Sequence, residues 1–166
     1  MAFLESQPFP LPTRLTPGAS DASGGEVRAG FDRASVLLRN SDGKFVRLDW
    51  ESGGGAEKSI HLPPGTYQLR GYRILKKAKD GTDWFISGIP PKPVDVRVEA
   101  GKRASLLSED TITVASRNVG GNLGMEIRGL HHSGVSIYRS GKRIPISYEL
   151  LDAAGKVVES GRMTYG

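Results

Sequence analysis

His131 and His132 stand side by side ahead of Ser133-Gly134, and with His61 they are the three histidines of the chain. Imidazole is the commonest protein ligand for transition metals, so this pair is the first place to look for a metal. Neighbouring residues on a strand point to opposite faces, so both rings reach one ion only if they lie in a loop. The chain has no cysteine, which excludes disulfides, thiol catalysis, zinc–thiolate sites and iron–sulfur ligation. A zinc site would need a carboxylate, and no His-x-x-x-His spacing supplies a ligand pair on a helix. The pair therefore reads as a polar loop, and no metal is expected. A hydrolytic triad lacks its nucleophile elbow, because Gly-x-Ser-x-Gly does not occur. Gly120-Gly121-Asn122-Leu123-Gly124 has neither the lysine of a phosphate loop nor a helix after it. Glu109-Asp110 is a carboxylate pair whose side chains diverge on a strand. Nothing assembles an acid, a base and oxyanion donors, so no catalytic residue, no cofactor and no enzyme activity is expected.

Cations are better represented. Twenty-three Lys and Arg against 18 Asp and Glu give a formal net charge of +5 and a pI near 9.6, which permits attraction to polyanions and equally serves solubility. Gly-Lys recurs at Gly43-Lys44, Gly101-Lys102, Gly141-Lys142 and Gly155-Lys156. Turn chemistry accounts for it: Gly takes the positive φ and Lys keeps a strand end soluble. If several tips shared one end they would make a basic rim. Arg70, Arg73, Lys76, Lys77 and Lys79, interleaved with Tyr72 and Trp84, would extend it into a groove for a polyanion, a single strand or a partner. Hairpin tips alternate between ends, which would split that charge.

The elements that must position these residues are strands. With 22 glycines and 10 prolines the chain is rich in turns, and no stretch sustains helical periodicity over three turns. No run approaches the ~20 apolar residues a membrane helix needs. Residues 1–26, rich in Pro, Ser, Gly and Thr, read as a flexible leader or linker. The start Met1-Ala2-Phe3-Leu4-Glu5 lacks a basic n-region and an apolar h-region, so no signal peptide is expected there, although a chain trimmed of its signal would read the same. Asp42-Gly43 between apolar runs signals a hairpin, with Val46, Leu48 and Trp50 inward on its second strand.

Leu62-Pro63-Pro64-Gly65 then makes a rigid turn into the central strand. Tyr67 and Leu69 share one face, but Tyr72 and Ile74 follow in the opposite phase, which places a β-bulge at Gly71. Val94, Val96 and Val98 alternate with charged residues, and Ile144, Ile146, Tyr148 and Leu150 alternate later. The expected core is Trp50, Tyr67, Leu69, Ile74, Val94, Val96, Val98, Ile146 and Tyr148. Strands at roughly 8–12-residue spacing with Gly-rich turns imply a sandwich or barrel. The fold class is all-β, an antiparallel β-sandwich over residues 27–107. After a seam at 108–110, residues 108–166 either complete the sandwich or form a second small β subdomain. The last residues read as a strand, an expectation that the natural chain continues past them.

At Leu62-Pro63-Pro64-Gly65-Thr66-Tyr67 the chain resembles transthyretin-like and carboxypeptidase-regulatory-like β-sandwich domains, which carry a Leu-Pro-x-Gly-x-Tyr step into a core strand. The Asp42-Gly43-Lys44 turn upstream and the Val94-x-Val96-x-Val98-x-x-Gly101 strand downstream match that pattern in order. The segment from Tyr148 through Val158 resembles a hairpin of exported bacterial proteins. The resemblance implies an Ig-like or transthyretin-like sandwich serving as a non-enzymatic interaction or structural module of a larger exported bacterial protein, periplasmic or extracellular, with a protein or cell-surface partner. The alternative is a basic OB-like barrel that binds nucleic acid or anionic polysaccharide. The B-type repeats of collagen-binding adhesins, which share this step, often use a Lys–Asn isopeptide bond with an acidic helper, and that triad is not carried over to this chain.

Overall fold

The computed structural model describes residues 13–16, 24–31, 33–50, 59–107 and 112–163. They are all-β apart from one three-residue 3₁₀ turn.

The centre is β6 (Gly65–Lys77), thirteen residues long. β3 (Ala34–Asn40) runs antiparallel to it along one edge. The register opposes Leu37 to Gly71 but Leu38 to Leu69, so Arg70 is the extra residue of a bulge. The phase change read from Tyr67 and Leu69 to Tyr72 and Ile74 is therefore a bulge beside Gly71, and all four side chains are buried on its account. The other edge of β6 is shared. Its first half pairs with β8 (Val94–Val98) and its second half with β7 (Asp83–Ile89).

β4 (Phe45–Trp50) pairs with β3 through the Asp42-Gly43 hairpin, where Gly43 has φ 81°. β1 (Thr13–Leu15) lies parallel to β4 at the sheet edge. Part of the segment read as a leader is thus a strand of the sheet, and residues 1–12 and 17–23 lie outside the described residues. On the far side β12 (Gly134–Arg139) pairs with β7, followed by β11 (Asn122–Arg128) and β10 (Thr113–Val119). β13 (Lys142–Arg143) joins β12. Among the described residues the strand order β1-β4-β3-β6-β7-β12-β11-β10 runs from one end to the other without closing as a barrel. Of the strands that follow the expected seam at 108–110, itself outside the described residues, β10 to β13 continue this same sheet.

A smaller sheet holds β2 (Gly25–Ala29) between β5 (Ile60–Leu62) and β9 (Arg103–Leu107), the last of these parallel to β2. Two parallel pairings, β1–β4 and β2–β9, make the sheets mixed where an all-antiparallel sandwich was expected. Both involve short strands brought together by long connections, which no hairpin signal announces. The smaller sheet contributes Val27, Ala29, Ile60, Leu62, Leu106 and Leu107 to a core shared with Val36, Leu38, Leu48, Trp50, Leu69 and Ile74 of the larger one. Each Val, Leu or Ile side chain among them, taken from water, contributes about 1.5–3 kcal/mol. The sheets meet closely at Gly25, where a Cβ would lie 2.5 Å from the Glu99 carbonyl oxygen and a Val98 methyl. Only a residue without a side chain fits.

Tyr67 and Trp50 are buried as expected, and the Tyr67 hydroxyl donates to the Pro63 carbonyl at 2.9 Å. The double-proline step holds that carbonyl within reach. Val98 is buried, while Val94 and Val96 pack against the core half-exposed. Ile146 and Tyr148 correct the expectation. They lie on β14 (Ile146–Leu151), which pairs with β15 (Val157–Met163) as a separate two-stranded ribbon, and they are outside the buried cluster. Alternation marks an apolar face and does not say what covers it.

Candidate interaction surfaces

Consecutive strand residues face opposite ways, and this divides the basic segment of β6 and β7. Arg73 and Lys77 share a face with Phe85, while Tyr72 and Lys76 share the other with Trp84. Arg70 is the extra residue of the bulge and stands exposed, as does Lys79 in the β6–β7 turn. The seven residues gathered by the sequence reading do not form one surface.

Tyr72 corrects that reading most directly. It is 4% exposed, with its hydroxyl 2.7 Å from Ser133 Oγ, which is itself wholly buried. The ring lies across Gly88, its cross-strand partner, where a Cβ would come 2.3 Å from the ring. A Cβ on Gly129 would meet the hydroxyl at the same distance. Two glycines therefore form the slot for this side chain, and no base can stack on it. The slot also anchors the turn at Leu130–His132, where His131 and His132 take φ of 54° and 56°. Left-handed backbone costs a non-glycine residue of order 1–3 kcal/mol and persists where its surroundings fix it. The two rings are exposed, and no group of three or more metal-ligating side chains occurs among the described residues.

On the outer face of the large sheet, Arg73 lies over the Phe85 ring at 4.6 Å, and Phe85 stacks on Tyr138 at 4.3 Å with planes 12° apart. Farther along, Asp49 has a fully buried carboxylate that accepts from Arg14 Nε at 2.6 Å and Arg47 Nε at 3.0 Å. No local pattern announces this arrangement, because it arises from the register of β7 with β12 and of β1 with β4.

Acids accompany many of the cations. Asp83 pairs with Arg33 at 3.4 Å and Lys77 at 4.0 Å, and Asp80 lies 3.9 Å from Arg139, which covers Trp84. Lys102 sits 2.5 Å from Glu99, whose carboxyl is held below its ordinary range by that hydrogen bond and charge, while the Lys102 ammonium is raised in return. Glu26 would be raised by burial, but hydrogen bonds from Arg103, Arg28 and Ser59 bring it below the usual value.

The four Gly-Lys glycines all have positive φ, between 68° and 81°, as turn residues should. Their lysines do not make one rim. The β3–β4 and β8–β9 turns lie at the Gly65 end of β6, whereas the β6–β7 and β12–β13 turns lie at its Lys77 end.

Apolar exposure concentrates late in the chain. Leu151, Val157 and Val158 on the β14–β15 ribbon are 58%, 46% and 63% exposed. Val114 on β10 and Leu123 on β11 are exposed as well. Among the described residues β10 pairs only with β11, and β14 only with β15. Glu109-Asp110 lies outside the described residues. No family model, curated protein or solved structure matches this chain.

Proposed function

We propose that this chain is a non-enzymatic β-sandwich interaction or structural module of a larger exported bacterial protein, transthyretin-like in its organisation, with a protein or cell-surface partner. One observation carries the reading. The β14–β15 ribbon has an amphipathic pattern, with Ile146, Tyr148 and Leu150 half-buried and Leu151, Val157 and Val158 exposed, and no third strand pairs with it among the described residues. A lone two-stranded ribbon is marginal in water, and exposed apolar side chains grouped on one element are what interfaces use. Export agrees with the exported-protein hairpin pattern of residues 148–158.

The Arg73–Phe85–Tyr138 stack favours a second reading, in which the outer face binds nucleic acid or an anionic polysaccharide. The pairing of Arg14, Arg33, Arg47, Lys77 and Arg139 with acids weighs against it. A salt titration separates the two. For the interaction module, binding to heparin or a single-stranded oligonucleotide is weak and vanishes by about 0.15 M salt, since few phosphates are engaged and each adds a slope of only about 0.7. Sub-micromolar affinity at that salt, lost on Arg73→Ala, would replace the module with the polyanion binder.

A further inference from the structure

β8 and β9 leave the turn at residues 99–102 into different sheets, and a groove of about 370 Å³ opens between them. Residues 94–97 of β8 and 103–106 of β9 form its walls, and Leu130 with His131 closes it. The lining is informative because it is consecutive. A groove lying on the face of a sheet touches every second residue of a strand, since side chains alternate. One that touches four in a row on each of two strands meets them along their edges.

Those edges are unpaired among the described strands: β8 is hydrogen-bonded to β6 and β9 to β2, each on one side. Every second residue of each therefore presents its N–H and C=O to the groove. Val94, Val96, Ala104 and Leu106 are half-buried or buried, and Val94, Val96 and Leu130 pack against the core, so the floor is apolar.

We propose that the groove binds an extended acidic peptide, which adds a strand to the β8 or β9 edge, seats alternate apolar side chains on the floor and turns its carboxylates to Arg97 and Arg103. This deepens the interaction-module reading and rests on it. Backbone edges on both walls select an extended chain, because no other common ligand matches that spacing of donors and acceptors. Charge selects an acidic one: Arg97 and Arg103 line the groove against the single carboxylate of Asp95. Both arginines also contact acids, Arg97 with Glu99 at 3.3 Å and Arg103 with Glu26 at 3.1 Å. Their side chains are 81% and 59% exposed, so these pairs are weak and yield to an incoming carboxylate. The anchored turn at residues 130–132 fixes the closed end through the Tyr72–Ser133 contact.

The test is a titration of the ¹⁵N-labelled chain with a capped seven-residue peptide alternating Glu and Val, followed through backbone amide shifts. Amides of residues 94–97 and 103–106 are expected to shift together and saturate. N-methylating alternate peptide bonds should weaken binding at least about tenfold, and a Lys–Val peptide should bind less tightly. Arg97→Ala with Arg103→Ala should weaken the Glu–Val peptide about fivefold or more, while Lys156→Ala leaves it unchanged. Absence of shifts at millimolar peptide, or equal binding of the N-methylated peptide, overturns the groove. Shifts confined to β14 and β15 overturn it while leaving the module reading intact. An oligonucleotide saturating at sub-micromolar concentration in 0.15 M salt overturns the module reading, and this proposal with it.

Discussion

Removing the Tyr72 hydroxyl tests how the C-terminal strands are tied to the core. The oxygen is 2.7 Å from Ser133 Oγ, and both residues are buried, at 4% and 0% exposure. In Tyr72→Phe the ring still fills the slot over Gly88 and Gly129, so packing is kept and the hydrogen bond is lost. Ser133 Oγ then stays buried without this partner, which costs about 1–3 kcal/mol. For a chain of this size each kcal/mol lowers the melting temperature by about 2–4 °C. Ser133→Ala should cost a similar amount, because it leaves the phenol short of the same contact. The double substitution removes both groups at once and should cost clearly less than the sum, with a coupling of about 0.5–3 kcal/mol. Urea melts of the four proteins at pH 7 supply the cycle. Additivity within about 0.3 kcal/mol would refute the argument, as it would mean that the two hydroxyls do not depend on each other.

Tyr67→Phe keeps the ring and loses the bond to the Pro63 carbonyl, so denaturant melts should show a loss of about 0.5–1.5 kcal/mol, and Tyr67→Ala about 3–5; an alanine variant within a few tenths of the parent would remove β6 from the core. Glu26 has its carboxyl lowered in the fold by Arg103, Arg28 and Ser59 against the effect of burial, so its contribution is present above the ordinary value of 4.5 and is lost as pH falls through the lower folded value. The melting-temperature gap between the parent and Glu26→Gln should accordingly narrow from pH 6 to pH 3, and a gap that widens would contradict the assignment. Leu151→Asp and Val158→Asp place charge on exposed positions and should shift stability by no more than about 0.5 kcal/mol in thermal melts; a loss of several would mean that the ribbon is covered by the chain itself.

What the sequence disclosed follows from which interactions are local. The Asp42-Gly43 turn, the Pro63-Pro64-Gly65 step and the phase change across Gly71 all act within a few residues, and each has its structural counterpart in the β3–β4 hairpin, the start of β6 and the bulge at Arg70. The Val94-Val96-Val98 alternation likewise gave β8. Long-range pairing was not legible. β1 has three residues and β2 five, and their parallel partners lie in distant segments, so nothing near them in the chain announces the register. The same limit explains the surfaces. Arg70 through Lys79 is a basic run in sequence, but the pleat sends Tyr72 to the core and separates Arg73 from Lys76. The groove joins residues 94–97, 103–106 and 130–131, and no single stretch carries its pattern. Ile146 and Tyr148 show the converse error, since their alternation is real but they stay half-buried outside the core cluster.

Amide hydrogen exchange on the chain alone reports whether β14 and β15 form a ribbon that the fold leaves uncovered, as an interaction module of this kind requires. Amides of β3 and β6 should exchange only through global opening, whereas those of β14 and β15 should open locally and exchange faster by at least about a hundredfold. Protection of β14 and β15 equal to that of β6 would contradict the account, since a ribbon already held by the core has no face left for a partner.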